Sequence, residues 1–230
     1  RDGGVRGLVI EAGPCLRTRE RSGQAILAGA GLSLAGLANQ AAAWSLAGLA
    51  FAAGIPGTVG GGVYMNAGAY GGDLGQMLES VTAYYPGLGV RTWPRAELGL
   101  GYRMSRFQQE TAIIEEARFQ LATGEERAIR EEMACYAQRR QEKQPLSFPS
   151  AGSVFRRPPG GYAGTMIEAA GLKGARIGGA QVSELHANFL VNLGGATAAD
   201  VLALIALVQR EVQAQTGIPL EPEIRVIGED

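Results

Sequence analysis

The stretch Gly54-Ile55-Pro56-Gly57-Thr58-Val59-Gly60-Gly61-Gly62-Val63-Tyr64-Met65-Asn66-Ala67-Gly68-Ala69-Tyr70-Gly71-Gly72 contains no charged side chain. Clustered glycines expose consecutive backbone N–H groups, which cradle a pyrophosphate without side-chain charge. Thr58 and Asn66 add neutral hydrogen-bonding groups. The same composition also suits a buried Gly/Ala packing seam, and residue types alone leave both readings open.

The uncharged region extends outward from this stretch, from Ser22 to Gly72. Ala and Gly dominate it, and Asn39, Gln40, Pro56 and Asn66 interrupt it. No run of about 18 strongly apolar residues forms, so burial in protein is expected, not a membrane span. A basic segment followed directly by an apolar one is absent at the start, which argues against a signal peptide. Short strands are expected at Val5–Ile10 and Ala25–Gly29, then a helix over Leu34–Ala43 with Ser33 as its N-cap. Further strands are expected over Ser80–Tyr85 and Ala112–Ala122; in the latter, Ala117, Phe119 and Leu121 alternate with polar neighbours.

Glu125–Gln144 reads as a charged amphipathic helix, with Ile129, Met133 and Tyr136 on one stripe, stopped by Pro145. A loop follows over Ser150–Gly161, then a short helix to Gly171 and a strand at Asn188–Leu193. A long helix is expected from Ala198 to Gln215. Thr197 and Asp200 have capping-box spacing at its start, and Gly217 supplies the stop. A last strand is expected at Ile224–Ile227. The mixture indicates an α+β protein.

With 230 residues and 46% apolar composition, the chain can bury a substantial core. A formal charge of −1 gives no field to draw nucleic acid or acidic membranes. The two cysteines, Cys15 and Cys135, form no CxxC pair and read as reduced thiols. One histidine, His186, leaves little from which to build a metal site or a His-based triad, and no metal is expected. GxxxxGK[ST], a GxGxxG after a strand and HExxH are all missing. Few routes to catalysis by the protein's own side chains remain, which favours a bound organic cofactor. The 35 glycines, about twice the usual share, fit such a ligand.

The glycine-rich stretch closely resembles the FAD-binding segment of the UDP-N-acetylenolpyruvoylglucosamine reductases, which belong to the vanillyl-alcohol-oxidase-type flavoproteins. Further segments match that family in order. They are Gly101-Tyr102-Arg103-Met104-Ser105-Arg106-Phe107, Ser150-Ala151-Gly152-Ser153-Val154-Phe155, and Leu220-Glu221-Pro222-Glu223-Ile224-Arg225. Between the last two lie Gly171-Leu172-Lys173-Gly174, Gly178–Ser183 and His186-Ala187-Asn188-Phe189. The short interval from Arg103 to Ser153 resembles the family's second type, which lacks an insert with a substrate-covering tyrosine loop. Two departures stand out. The family's Gly-Gly-Gly-Ser-Asn-type loop has no counterpart in this sequence, and Arg157 stands where many members carry Asn before Pro.

The resemblance implies a cytoplasmic, monomeric enzyme that reduces UDP-N-acetylglucosamine enolpyruvate to UDP-N-acetylmuramate, using FAD and NADPH, for peptidoglycan synthesis. It implies an FAD-binding domain at 1–145 and a substrate-binding domain at 146–222. Residues 223–230 would return as a strand to the FAD-binding region. Arg103, Ser153 and Glu223 take the catalytic roles, with Glu221 the second candidate for the glutamate. Pro56, Gly57, Thr58, Val59, Gly60, Gly61, Asn66, Ala67, Gly68 and Gly71 would hold the cofactor. Tyr102, Lys173, His186, Asn188 and Arg225 would bind the sugar nucleotide. Two other readings are an FAD-linked oxidase of another small alcohol or sugar and a non-catalytic Gly/Ala-rich binding domain. The first predicts no family match after residue 150, the second a colourless protein.

Overall fold

The computed structural model describes residues 1–229. The chain divides into two compact units: Ile10–Arg140, and a second assembled from Arg1–Val9 together with Gln141 onward.

The larger unit is built on β1 (Arg19–Ser22), β2 (Ala25–Gly29), β6 (Leu78–Tyr85), β7 (Gly89–Pro94) and β8 (Ile113–Gln120) in one antiparallel sheet. The strand order is β1-β2-β8-β6-β7. Two short antiparallel ladders accompany it: β3 (Leu46–Ala47) with β9 (Ala122–Thr123), and β4 (Gly68–Ala69) with β5 (Gly72–Asp73). In β6 and β8 the two-residue alternation buries Val81, Ala83 and Tyr85 on one and Ala117 and Phe119 on the other. Helix α1 (Leu34–Ala43) turns Leu34, Leu37, Ala38 and Ala41 into the same core. Its N-cap Ser33 accepts from the Gly36 N–H at 3.0 Å. Helix α2 (Val59–Met65) buries Val59, Gly62 and Val63. Helix α3 (Glu126–Lys143) packs Ile129, Met133 and Tyr136 inward, the stripe its sequence indicates.

The smaller unit has a four-stranded antiparallel sheet in the order β10 (Ser150–Ser153), β13 (Phe189–Asn192), β12 (Ala180–Val182), β11 (Arg176–Ile177). Helix α4 (Ala163–Ala169) and helix α5 (Ala198–Thr216) share its core, α5 through Leu204, Ile205, Val208 and Val212. Thr197 and Asp200 form the expected capping box, and Gly217 ends α5 in the left-handed region at φ 71°.

Two expected strands do not form. Val5–Ile10 has no ladder partner, and Val5, Leu8, Val9 and Ile10 are exposed. The backbone of residues 1–4 bonds instead to residues 227–229, through Gly3 N–H to Glu229 O and Glu229 N–H to Gly4 O, both 2.9 Å. That pairing also claims the end of the expected strand at Ile224–Ile227, where Val226 and Ile227 are exposed. Residues 223–229 group with the smaller unit. The Glu223 N–H donates to Val154 O at 2.7 Å, and Ile224 packs against the smaller core. Strand β1 escapes sequence reading because it is a polar edge, Arg-Glu-Arg-Ser, exposed at every position.

Hydrogen bonds from the backbone of Thr197, then of Gly179, hold the Asp200 carboxyl below the ordinary aspartate range. A group depressed in this way stabilises the fold above its unfolded pKa and loses that contribution as pH falls. Thr197→Ala should lower stability by about 1 kcal/mol, as loss of an N-cap does. Asp200→Ala should melt below the wild type at neutral pH, and the gap should narrow as pH falls below the ordinary aspartate range. A gap that stays constant with pH would assign the loss to something other than the carboxylate.

Candidate active site

Close packing fixes the glycine-rich segment of the larger unit. A Cβ on Gly60 would stand 2.9 Å from the Ala30 Cβ, and one on Gly62 2.8 Å from the Leu74 Cδ1. The Val59 and Gly60 amides donate to Leu32 O at 2.8 Å and Ala30 O at 2.9 Å. Those amides are spent in building the loop. Gly68 is likewise paired in the β4–β5 ladder, and the Ala67 N–H returns to Gly62 O. The remaining expected cofactor residues divide sharply. Asn66 is buried, with its Nδ2 donating to Gly101 O at 2.9 Å and its Oδ1 accepting from the Gly75 N–H at 2.8 Å. Pro56, Gly57, Gly61 and Gly71 are exposed, and Gly57 and Gly71 have positive φ with open space where a Cβ would project. Thr58 caps α2 through its Oγ1, accepting from the Gly61 N–H at 3.3 Å.

The stretch thus has two faces. One face is a packing seam, and the other is an open glycine surface before a helix whose first turn carries no acidic side chain. That open face fits a dinucleotide pyrophosphate, because nothing anionic opposes it and backbone can approach closely.

The loop that carries Arg103 lies against the same segment. Gly101 and Met104 exchange backbone hydrogen bonds of 3.2 and 3.1 Å around the corner residues Tyr102 and Arg103. Arg103 has φ 55°, a conformation that costs an L-residue with a Cβ roughly 1–2 kcal/mol. Such strain persists only where the surroundings over-determine it. Here Ser105 Oγ donates to Tyr64 O at 2.7 Å, and Gln108 Nε2 donates to Tyr64 O at 2.8 Å and Arg103 O at 2.9 Å. An Arg103 guanidinium nitrogen donates to Gly68 O at 3.1 Å, and the guanidinium carbon lies 5.0 Å from the centre of the half-exposed Tyr102 ring. Behind the loop, Arg106 pairs with Glu110 at 2.8 Å and stacks 3.4 Å over the Trp93 ring. Its hydrogen bond holds the Glu110 carboxyl below the usual range. Burial first, then the Glu110 bond, pushes the Tyr85 phenol up.

Ser153 and Glu223 belong to the smaller unit. The register of β10 on β13 shifts between Ser150 and Ser153, and Gly152 within the shift has φ 83°. A bulge of this kind re-aims the side chain that follows it. Beyond Ser153 the backbone is gripped from two sides. Asn188 O accepts from the Val154 N–H at 2.8 Å, while its side chain binds Phe155 N–H and Phe155 O, both at 2.9 Å. Across from it, the Glu223 N–H reaches Val154 O, Phe155 bridges to Pro222, and the Arg156 N–H donates to Glu221 O at 2.9 Å. Ser153 and Glu223 thus sit on neighbouring paired segments.

The expected sugar-nucleotide residues are distributed unevenly. Asn188, only 7% exposed, spends both amide atoms on Phe155, so its side chain serves the Ser153 loop instead of a ligand. Burial pushes the His186 imidazole down, and its Nδ1 accepts from the Asn188 N–H at 3.2 Å. Lys173 pairs with Glu168 at 2.6 Å. Arg225 is exposed in the smaller unit, and Tyr102 lies in the larger. Sequence reasoning missed Gln108, since a glutamine in a loop carries no pattern. It noted Arg157 only as a departure; the structure places that guanidinium 4.3 Å over the Tyr162 ring.

Comparison with known proteins gives concordant results. A family model described as UDP-N-acetylenolpyruvoylglucosamine reductase, C-terminal domain, matches residues 144–227. The chain is 48% identical over 230 residues to the UDP-N-acetylenolpyruvoylglucosamine reductase of Syntrophomonas wolfei, spanning all of this chain and 77% of that protein. It is 45% identical, over the same shares, to the enzyme of that name from Listeria monocytogenes serotype 4a. A crystal structure of UDP-N-acetylenolpyruvylglucosamine reductase from Thermus caldophilus superposes with a TM-score of 0.83 at 38% identity, covering 96% of this chain and 79% of that one. The α+β class is thereby established, and the family match beyond residue 150 disfavours the alternative of an FAD-linked oxidase of another small alcohol or sugar. With full-length relatives at this identity, the chain belongs to the UDP-N-acetylenolpyruvoylglucosamine reductase family.

Proposed function

We propose that this protein reduces UDP-N-acetylglucosamine enolpyruvate to UDP-N-acetylmuramate with NADPH, supplying peptidoglycan precursor. The observation that carries the site assignment is the bulge at Gly152, which presents Ser153 beside the segment holding Glu223. Bound FAD would supply hydride carriage from NADPH to the substrate's C3. Pro56, Gly57, Thr58, Gly61 and Gly71 would hold it, on the open face of the region Ser22–Gly124. The region Ser150–Glu221 would cover the sugar nucleotide, with Lys173 and Arg225 offering cations to its anionic groups.

Reduction of the double bond adds a hydride at C3 and a proton at C2. Negative charge develops toward the carboxylate as hydride arrives. Arg103 would pair with that carboxylate, as a guanidinium fork suits both its shape and its charge. Ser153 would give its hydroxyl proton to C2; a hydroxyl is a weak acid, but the enolate-like carbon it meets is strongly basic. Glu223 would orient the substrate through hydrogen bonds or, if protonated, donate to the carboxyl group. Among the described residues no helix is long and apolar enough to cross a membrane, and none of their His, Cys, Asp and Glu side chains cluster as a metal site. NADPH and UDP-sugars are intracellular metabolites, which supports a cytoplasmic location.

Ser153→Ala should slow reoxidation of the reduced flavin by the enolpyruvyl sugar by roughly 100-fold or more, while flavin reduction by NADPH stays within about twofold. Anaerobic stopped-flow absorbance separates the two half-reactions, and equal loss in both would remove Ser153 as the acid. Asn188→Ala strands the N–H and C=O of buried Phe155. It should cost about 1–3 kcal/mol in thermal or urea unfolding and slow the same half-reaction as Ser153→Ala. Unchanged stability would show that the Asn188 side chain does not grip the loop.

A further inference from the structure

The Gln108 side chain binds the carbonyl of Arg103 itself and also reaches helix α2. Its Nε2 donates to Arg103 O at 2.9 Å and to Tyr64 O at 2.8 Å, and lies 3.8 Å from Met65 Sδ. Tyr64 is in the last turn of α2, where helix carbonyls turn to donors outside the helix, and the Gln108 amide shares this acceptor with the Ser105 hydroxyl. Arg103 holds φ 55° without being glycine or asparagine. Its turn is pinned by Asn66 at Gly101 and by Ser105 at Tyr64, on either side of the strained residue. Gln108 reaches the strained peptide itself, through Arg103 O. Gln108 is itself well placed: Phe107, 2% exposed, anchors the 3₁₀ turn Arg106–Gln108, and the Arg106–Glu110 pair braces it against Trp93.

We infer that Gln108 is a positioning residue for Arg103: its amide locks the Arg103 carbonyl onto the end of α2 and thereby sets the direction of the guanidinium. The inference rests on the assignment of Arg103 to the substrate carboxylate made above. Because Thr58 caps the opposite end of α2, the same amide joins the Arg103 turn to the open glycine face. The bond needs donors, so leucine abolishes it and lysine, with three N–H donors on a comparably long stem, restores it.

The holoenzyme and its Gln108→Leu, Gln108→Lys, Arg103→Ala and Arg103→Ala/Gln108→Leu variants test this by anaerobic stopped flow. Gln108→Leu should slow flavin reoxidation by the enolpyruvyl sugar, or raise the concentration giving half-maximal rate, by roughly 10- to 100-fold. NADPH-driven reduction and flavin content should stay within about twofold. Gln108→Lys should recover most of the loss, and on the Arg103→Ala background Gln108→Leu should add less than about twofold. Trypsin gives a readout free of turnover: cleavage after Arg103 should be faster in Gln108→Leu by roughly 10-fold, as the turn opens more often. A normal Gln108→Leu enzyme beside a slow Arg103→Ala enzyme overturns the inference alone. Flavin loss in Gln108→Leu, or a full Gln108 effect without Arg103, overturns it by marking a purely structural role. Wild-type reoxidation in Arg103→Ala refutes the Arg103 assignment itself, and this inference with it.

Discussion

Helix α2 lies flat on the core because Gly60 and Gly62 have no side chains to keep it away. Added Cβ atoms would stand 2.9 Å from Ala30 Cβ and 2.8 Å from Leu74 Cδ1, closer than packed carbons come. That approach brings the Val59 and Gly60 amides within reach of Leu32 O and Ala30 O, so the loop before the helix is bonded to the strand-to-helix connection that precedes α1. The position of α2 then dictates the rest of the larger unit's functional surface. Its start is capped by Thr58 beside the exposed Gly57, and its end presents Tyr64 O to Ser105 and Gln108. Asn66, left-handed at φ 41°, closes the helix and reaches Gly101.

The smaller unit solves a similar problem with a different device. A serine on a regular strand would alternate with its neighbours and keep a fixed face. The register shift at Gly152 releases Ser153 from that alternation, and the cost is local disruption of the ladder. Asn188 makes good the loss by mimicking a strand edge, with one acceptor and one donor bound to Phe155. Val154 O is satisfied from the other side by the Glu223 N–H, so the acid candidate and the carboxylate share one hydrogen-bonded frame.

Local signals made the helices legible. α1 starts and stops where Ser33 and the apolar spacing indicate, and α5 runs between its capping box and Gly217, one residue past the expected end. Strand expectations failed where an apolar run had no partner to pair with: Val5–Ile10 and Ile224–Ile227 have the composition but not the ladder. Of the β6–β7 hairpin, sequence indicates only the first strand, because the second is mostly exposed. At the site, residue identity located the glycine stretch and the Arg103 and Ser153 loops. It did not separate glycines that pack from glycines that face outward, nor show that Asn188 is turned inward. Those distinctions depend on which atoms meet across long sequence separations.

The proton donor can also be argued from what the smaller unit withholds. His186 is the chain's one histidine, and a histidine is the usual acid near neutral pH. Here burial lowers its pKa, which disfavours the protonated ring, and its Nδ1 is engaged by the Asn188 N–H. Phe189 packs against the ring with centroids 4.8 Å apart. A neutral imidazole so held carries no surplus proton to deliver. The Lys173 ammonium is drawn to Glu168. These constraints favour the proposed donor, the Ser153 hydroxyl on the Gly152 bulge, whose weakness as an acid would match it to a substrate carbon that becomes basic only after hydride has arrived.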